Sequence, residues 1–116
     1  MKLYVNDIEI PVVWENSDTV AQLKNDVAKE DIIVEMSMYS DNEQVGSLEK
    51  SYKTNDEWIT TYNGDVVLYD SNKIVVFYES NSWNYTRLGK INLSKKEVKD
   101  LFAKENITLS LRRNDK

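Results

Sequence analysis

The sequence predicts a mainly β fold: a closed antiparallel barrel of about eight strands capped by two short α-helices, forming one domain over residues 1–116. Three observations predict it. Short stretches alternate apolar with polar residues and are separated by turn-forming residues. Only two segments carry helical spacing. No strand–helix–strand rhythm recurs, and closing the sheet is the way so many short strands lose their exposed edges, with an open α+β sandwich as the competing architecture.

The opening LYVNDIEIPVVW reads as a hairpin around Asn6-Asp7, a pair that tolerates the positive φ of a tight turn. On its second arm Ile8, Ile10, Val12 and Trp14 fall on one face. Pro11 points the other way and lacks a ladder donor, which places it at an edge or a bulge. Ser17, Asp18 and Thr19 then start a helix, with Val20, Leu23 and Val27 as its buried stripe. From Asp31 the period returns to two. Ile32, Val34, Met36 and Met38 lie on one side, which makes the two methionines core residues rather than a peptide groove.

Residues 40–56 read as a hairpin through Val45-Gly46-Ser47-Leu48, then an irregular excursion of about ten residues that ends where Trp58 and Ile59 resume an apolar pattern. Strands are expected over residues 66–69, 74–79 and 84–91, separated by Asp70-Ser71-Asn72-Lys73 and by Ser80-Asn81-Ser82. Ser94 caps the second helix and Glu97 completes a capping box. Val98, Leu101 and Phe102 form its buried stripe. Asn106 suits a left-handed position after the helix, and Ile107, Leu109 and Leu111 alternate in a closing strand.

Composition restricts the chemistry. The chain has 41% apolar and 30% charged residues, which suits an ordinary globular domain with a core of its own. Its net charge of -5 repels phosphate backbones, so neither nucleic acid nor an anionic membrane is an expected partner. Lys95, Lys96 and Lys99 share a helix with Glu97 and Asp100 and form a solvated face. No apolar run approaches the roughly 18 residues of a membrane span, and MKLYVNDIEI lacks the pattern of a signal peptide, so a cytoplasmic location is expected. Cys and His are both absent. That excludes disulfides, thiol nucleophiles, Cys or His zinc sites, Ser-His-Asp triads and imidazole acid–base catalysis.

GDVVLYDSNKIVVFYESNSWNYTRLGKI, residues 64–91, resembles the small bacterial cyclophilin-like domains. The resemblance is carried by Gly64-Asp65, Leu68-Tyr69, the Ser71-Asn72 turn, Phe77-Tyr78 and Tyr85-Thr86-Arg87-Leu88-Gly89-Lys90-Ile91. Weaker agreement covers the N-terminal hairpin, the Asn16-Ser17 helix entry, Met38 through Leu48, and the final helix and strand. The resemblance implies an eight-stranded barrel with a helix at each end, and no settled activity.

True cyclophilins isomerise prolyl bonds against an amide-rotation barrier of about 18–20 kcal/mol, with an Arg donating a hydrogen bond near the prolyl nitrogen. Their Arg stands in a Phe-His-Arg motif before the middle of the chain. Residues 31–48 here hold no Arg, His or Lys. Laying Leu88-Gly89-Lys90-Ile91 over the Phe-Gly-Lys-Val of the isomerases puts Tyr85 where their pocket histidine sits.

Tyr69, Trp83, Tyr85 and Arg87 are therefore the candidate ligand-binding residues, rimming one barrel face. For Arg87 two readings stand: a ligand-facing charge beside Tyr85, or an ion pair with Asp65, Asp70 or Glu79. Trp83 and Tyr85 likewise suit recognition or core filling. Glu30-Asp31, Asp56-Glu57 and the Asp41-Asn42-Glu43 turn read as surface carboxylates, without metal-ligand spacing. No metal is expected, and no phosphate loop or dinucleotide fingerprint calls for a cofactor. The expected function is non-catalytic binding of a peptide or small molecule. The alternatives are a weak prolyl isomerase using Arg87 and a structural or partner-docking module. The sequence leaves oligomeric state open.

Overall fold

Pro11 divides one extended arm into two three-residue strands that lie at opposite ends of the sheet. β2 (Ile8–Ile10) pairs with β1 (Lys2–Val5), while β3 (Val12–Trp14) pairs with β9 (Asn81–Ile91). Because Pro11 has no N–H, neither ladder passes through it, and its carbonyl accepts instead from the Asn92 amide at 2.9 Å. This crossing brings the two ends of the sheet together. A computed structural model, describing residues 1–115, shows a main sheet that is antiparallel throughout. The barrel is nearly closed.

The remaining elements are α1 (Asp18–Val27), β4 (Ile32–Tyr39), β5 (Glu43–Ser47), β6 (Glu57–Thr61), β7 (Asp65–Tyr69), β8 (Lys73–Phe77), α2 (Lys95–Phe102) and β10 (Asn106–Arg112), and the sheet runs β2-β1-β10-β4-β5-β8-β7-β9-β3. Ten strands thus stand among the described residues where about eight were expected. Part of the excess comes from the split at Pro11 and part from β6, which pairs with β9 outside the barrel path. Tight turns fall at Asn6-Asp7, Ser40-Asp41 and Asp70-Ser71, each pair with positive φ at both residues. Neither helix is long and apolar enough to cross a membrane.

The barrel interior is filled by Leu3, Val34, Met36, Val66, Leu68, Ile74, Val76, Leu88, Leu109 and Leu111, with Val20, Leu23 and Val27 of α1 and Val98 and Phe102 of α2 packed in as plugs. Ser17 Oγ accepts from the Val20 amide at 3.2 Å, and Ser94 and Glu97 form the reciprocal capping box. Gln44 reaches from β5 to the C-terminal end of α2. Its Nε2 donates to the carbonyls of Phe102, at 2.8 Å, and Lys104, satisfying groups the helix leaves open. Gly46 permits β5 to approach β4: a Cβ there would press on Val34 Cγ1 and lie 2.9 Å from the Glu35 carbonyl.

Three local expectations are corrected. Ile8 is more than half exposed rather than sharing the buried face of Ile10, because β2 is an end strand whose first residue extends past the core. Asn81 and Ser82 are not a turn. They begin β9, held there by pairing with Thr61 and Thr60. Asn106 opens β10 without a left-handed φ; α2 ends instead on Ala103, whose amide donates to the Lys99 carbonyl at 2.9 Å.

Candidate functional site

After their first residues, Asp65 and Lys73, the strands DVVLY and KIVVF are apolar without interruption, and the structure supplies the reason: both faces of β7 and β8 are covered. Val66, Leu68, Ile74 and Val76 face the barrel interior. Val67, Val75 and Phe77 face outward and pack with Tyr85, Val45, Ile59 and Tyr69 into a second, smaller core. What covers them is a ribbon. The first half of β9 leaves β7 and pairs with β6, Glu57 opposite Tyr85 and Thr61 opposite Asn81, while its second half stays in the barrel. Just beyond the change of partner stands a β-bulge: Val66 pairs with Gly89 and Val67 with Arg87, leaving Leu88 as the extra residue.

Between this ribbon and the outer face of β4, β5, β7 and β8 runs a groove of about 390 Å³, lined by Tyr39, Glu43, Val45, Tyr69, Val75, Asn81, Trp83 and Tyr85. That volume lies within the range of small-molecule sites, roughly 300–1,000 Å³. Tyr85 forms its fixed floor. It is 5% exposed, meets Phe77 edge-on at 5.5 Å and Tyr69 at 6.0 Å, and receives a 2.8 Å hydrogen bond from Asn81 Nδ2. Trp83, 48% exposed, and Tyr39, 66% exposed, stand at the rim. Trp58 tilts against Trp83 with ring centroids 5.6 Å apart, broadening that wall.

One carboxylate lies inside this aromatic frame. Glu43 is 6% exposed, on the groove face of β5 opposite Phe77 of β8 and Tyr39 of β4. Its Oε1 accepts from Asn42 Nδ2 at 3.3 Å, and no Lys or Arg of the described residues forms an ion pair with it. Burial pushes its carboxyl above the usual range, against the smaller opposing effect of that hydrogen bond. The Tyr85 phenol is also raised, first by burial and in part by the charge of Glu43.

The structure brings three of the four sequence-derived candidates together: Tyr69, Trp83 and Tyr85 line one groove. Arg87 stands on the same strand two residues beyond Tyr85, opposite Val67, and is exposed and outside the lining. The ion pairs anticipated for it go to lysines instead. Asp65 pairs with Lys90, its direct partner in the ladder, at 3.4 Å, Glu79 with Lys99 of α2 at 3.0 Å, and Asp70 with Lys73 across the turn at 3.9 Å.

Tyr39, Val45, Val75, Asn81 and Glu43 were missed. Glu43 was read as part of a surface turn, but the turn ends one residue earlier, and Glu43 opens a strand whose alternation with Val45 puts both on the groove face. The uninterrupted apolar runs of β7 and β8 were the signal for a second covered face.

A second hollow, of about 500 Å³, lies beside α1 and the residues following β5. Of its carboxylates, Asp26 is engaged by Lys50 at 2.8 Å and the Tyr52 hydroxyl at 2.6 Å, and is lowered by both. No cluster of carboxylates suited to a metal occurs among the described residues.

A family model described as the cyclophilin-like family matches residues 3–112. No curated protein and no solved structure matches the chain.

Proposed function

The chain belongs to the cyclophilin-like family, and from that premise we propose that it is a non-catalytic binding module that takes a peptide or small molecule in the groove between the β6–β9 ribbon and the barrel. One observation carries this reading. The groove gathers four aromatic rings around a buried carboxylate, and its lining holds no guanidinium. Easing rotation about a prolyl bond requires a cationic donor near the prolyl nitrogen as the amide loses conjugation. A carboxylate at that place has the opposite sign and only accepts. Rings on a rigid sheet, by contrast, supply large contact area at small cost in conformational entropy.

The test is a ligand screen followed on the Trp83 indole N–H by NMR, with Ala-Pro peptides among the ligands. A binder that shifts Trp83 and the Tyr85 ring supports the reading. A complete screen that shifts neither removes it.

A second reading rests on a specific observation: Arg87 lies one repeat of the strand beyond Tyr85 and forms no ion pair among the described residues. A guanidinium so placed is available to a bound peptide, and a weak isomerase is the activity it would support. Protease-coupled turnover of an Ala-Pro peptide separates the two. Rates equal to the spontaneous one for wild type and for Arg87→Ala are expected; acceleration that Arg87→Ala abolishes would establish the isomerase instead.

A further inference from the structure

A carboxylate buried against aromatic rings is costly unless something offsets its lost hydration. For Glu43 the protein supplies little: one hydrogen bond from a neutral amide, Asn42 Nδ2 at 3.3 Å. A carboxylate has about four acceptor positions, so capacity remains. No Lys or Arg belongs to the groove lining, although the chain holds 15 of them and pairs many elsewhere. Tyr39, Tyr69, Trp83 and Tyr85 meanwhile surround the same space, and the negative faces of such rings attract cations. The net charge of -5 favours approach of a positive ligand.

We propose that the groove selects an alkylated ammonium group that retains an N–H, its alkyl groups among the rings of Tyr39, Tyr69, Trp83 and Tyr85 and its N–H directed to Glu43. The inference rests on the reading of this groove as a binding site and specifies its ligand chemistry. Rings alone would suit any quaternary ammonium; a carboxylate with unused acceptor capacity favours a head group that can donate. Such a group occurs on small amines and on methylated lysine side chains, and both present the same chemistry.

Three probes of nearly one shape test it at neutral pH: protonated N,N-dimethylaminoethanol, choline, and the uncharged 3,3-dimethylbutan-1-ol. Binding is read from the Trp83 indole N–H. Dimethylaminoethanol is expected to bind about tenfold or more tighter than the alcohol, with choline between them. Glu43→Gln, nearly isosteric, is expected to remove the advantage of dimethylaminoethanol over choline and to leave both cations the smaller preference over the alcohol that the rings supply. Tyr39→Ala, at a side chain exposed enough to leave folding intact, is expected to weaken both cations.

Equal affinity for the alcohol and the two cations overturns the cation inference and leaves the binding module standing. An advantage of dimethylaminoethanol over choline that survives Glu43→Gln, or no such advantage in the wild type, overturns the role given to Glu43. Silence from all three probes and from Ala-Pro peptides removes both readings. A short peptide carrying dimethyl-lysine, run beside the free amine, distinguishes the sources: tighter binding of the peptide assigns the cation to a side chain, and equal binding to a small amine.

Discussion

Glu43 stands directly opposite Phe77 in the β5–β8 ladder, a buried carboxylate beside a benzene ring on one face of the sheet. Cross-strand neighbours on one face lie about 4.5–5.5 Å apart at Cβ, so the pair is in contact range. A carboxylate in that place lacks the partner that would normally justify its burial. The same register puts Val45 against Val75, whose apolar sides continue the groove floor.

The first consequence is a pH dependence. Burial holds the folded-state pKa of Glu43 above its ordinary 4.5, so between those two values the folded chain binds more protons than the unfolded one. This stabilisation is fully present below about 4.5 and is lost as pH rises through the folded-state value. Glu43→Gln removes the ionisation. Urea midpoints should therefore be close for the two proteins at pH 4 and separate toward neutrality, with the variant more stable; a constant difference across pH would contradict the assignment.

Gly46→Ala should destabilise by about 1–3 kcal/mol, the usual cost of overpacking. The added methyl would meet Val34 Cγ1, the Met36 side chain at 2.8 Å and the Glu35 carbonyl at 2.9 Å, and backbone cannot move aside as a side-chain end can. A fall in denaturant midpoint with an unchanged m-value is the expected signature.

Three of the seven tyrosines should ionise late. Burial and Asp41 push Tyr78 up to about 12, and burial with the hydrogen bond to Asp26 pushes Tyr52 higher still. Tyr85 is raised as well. Ultraviolet titration should show these phenols delayed, and the stability they contribute is lost as pH rises above about 10. Full ionisation in one step near pH 10 would contradict the burial.

Thr86→Val should loosen the segment between β5 and β6. Thr86 Oγ1 donates to Asp56 Oδ1 at 2.7 Å and accepts from the Asn55 amide at 2.9 Å, so valine leaves that amide without its partner. A loss of about 1–3 kcal/mol is expected. Hydrogen exchange at Asn55 should accelerate more than exchange in β7 or β8.

Much of the fold was legible because local signals and packing agree. The Ser17 and Ser94 caps, the Asn6-Asp7 turn, and the alternation of Ile107, Leu109 and Leu111 each need only a few neighbours in the chain. The aromatic half of the site was legible for a similar reason, since Tyr69, Trp83 and Tyr85 lie within the stretch that carries the family resemblance. Arg87 was placed correctly on its strand, yet a two-residue period does not tell which neighbours continue the groove.

Glu43, Tyr39 and Asn81 could not be read in that way. Asn81 and Ser82 resemble a turn until β6, some 20 residues earlier, pairs with them. Glu43 resembles a surface carboxylate until that ribbon folds over the outer face of the barrel. The sequence by itself determined most of the elements, the interior core and the class of barrel, because periodicity and capping are local properties of the chain. Only the tertiary structure decided that the outer face of β5, β7 and β8 is also covered, because burial of that face depends on strands far apart in sequence meeting across it.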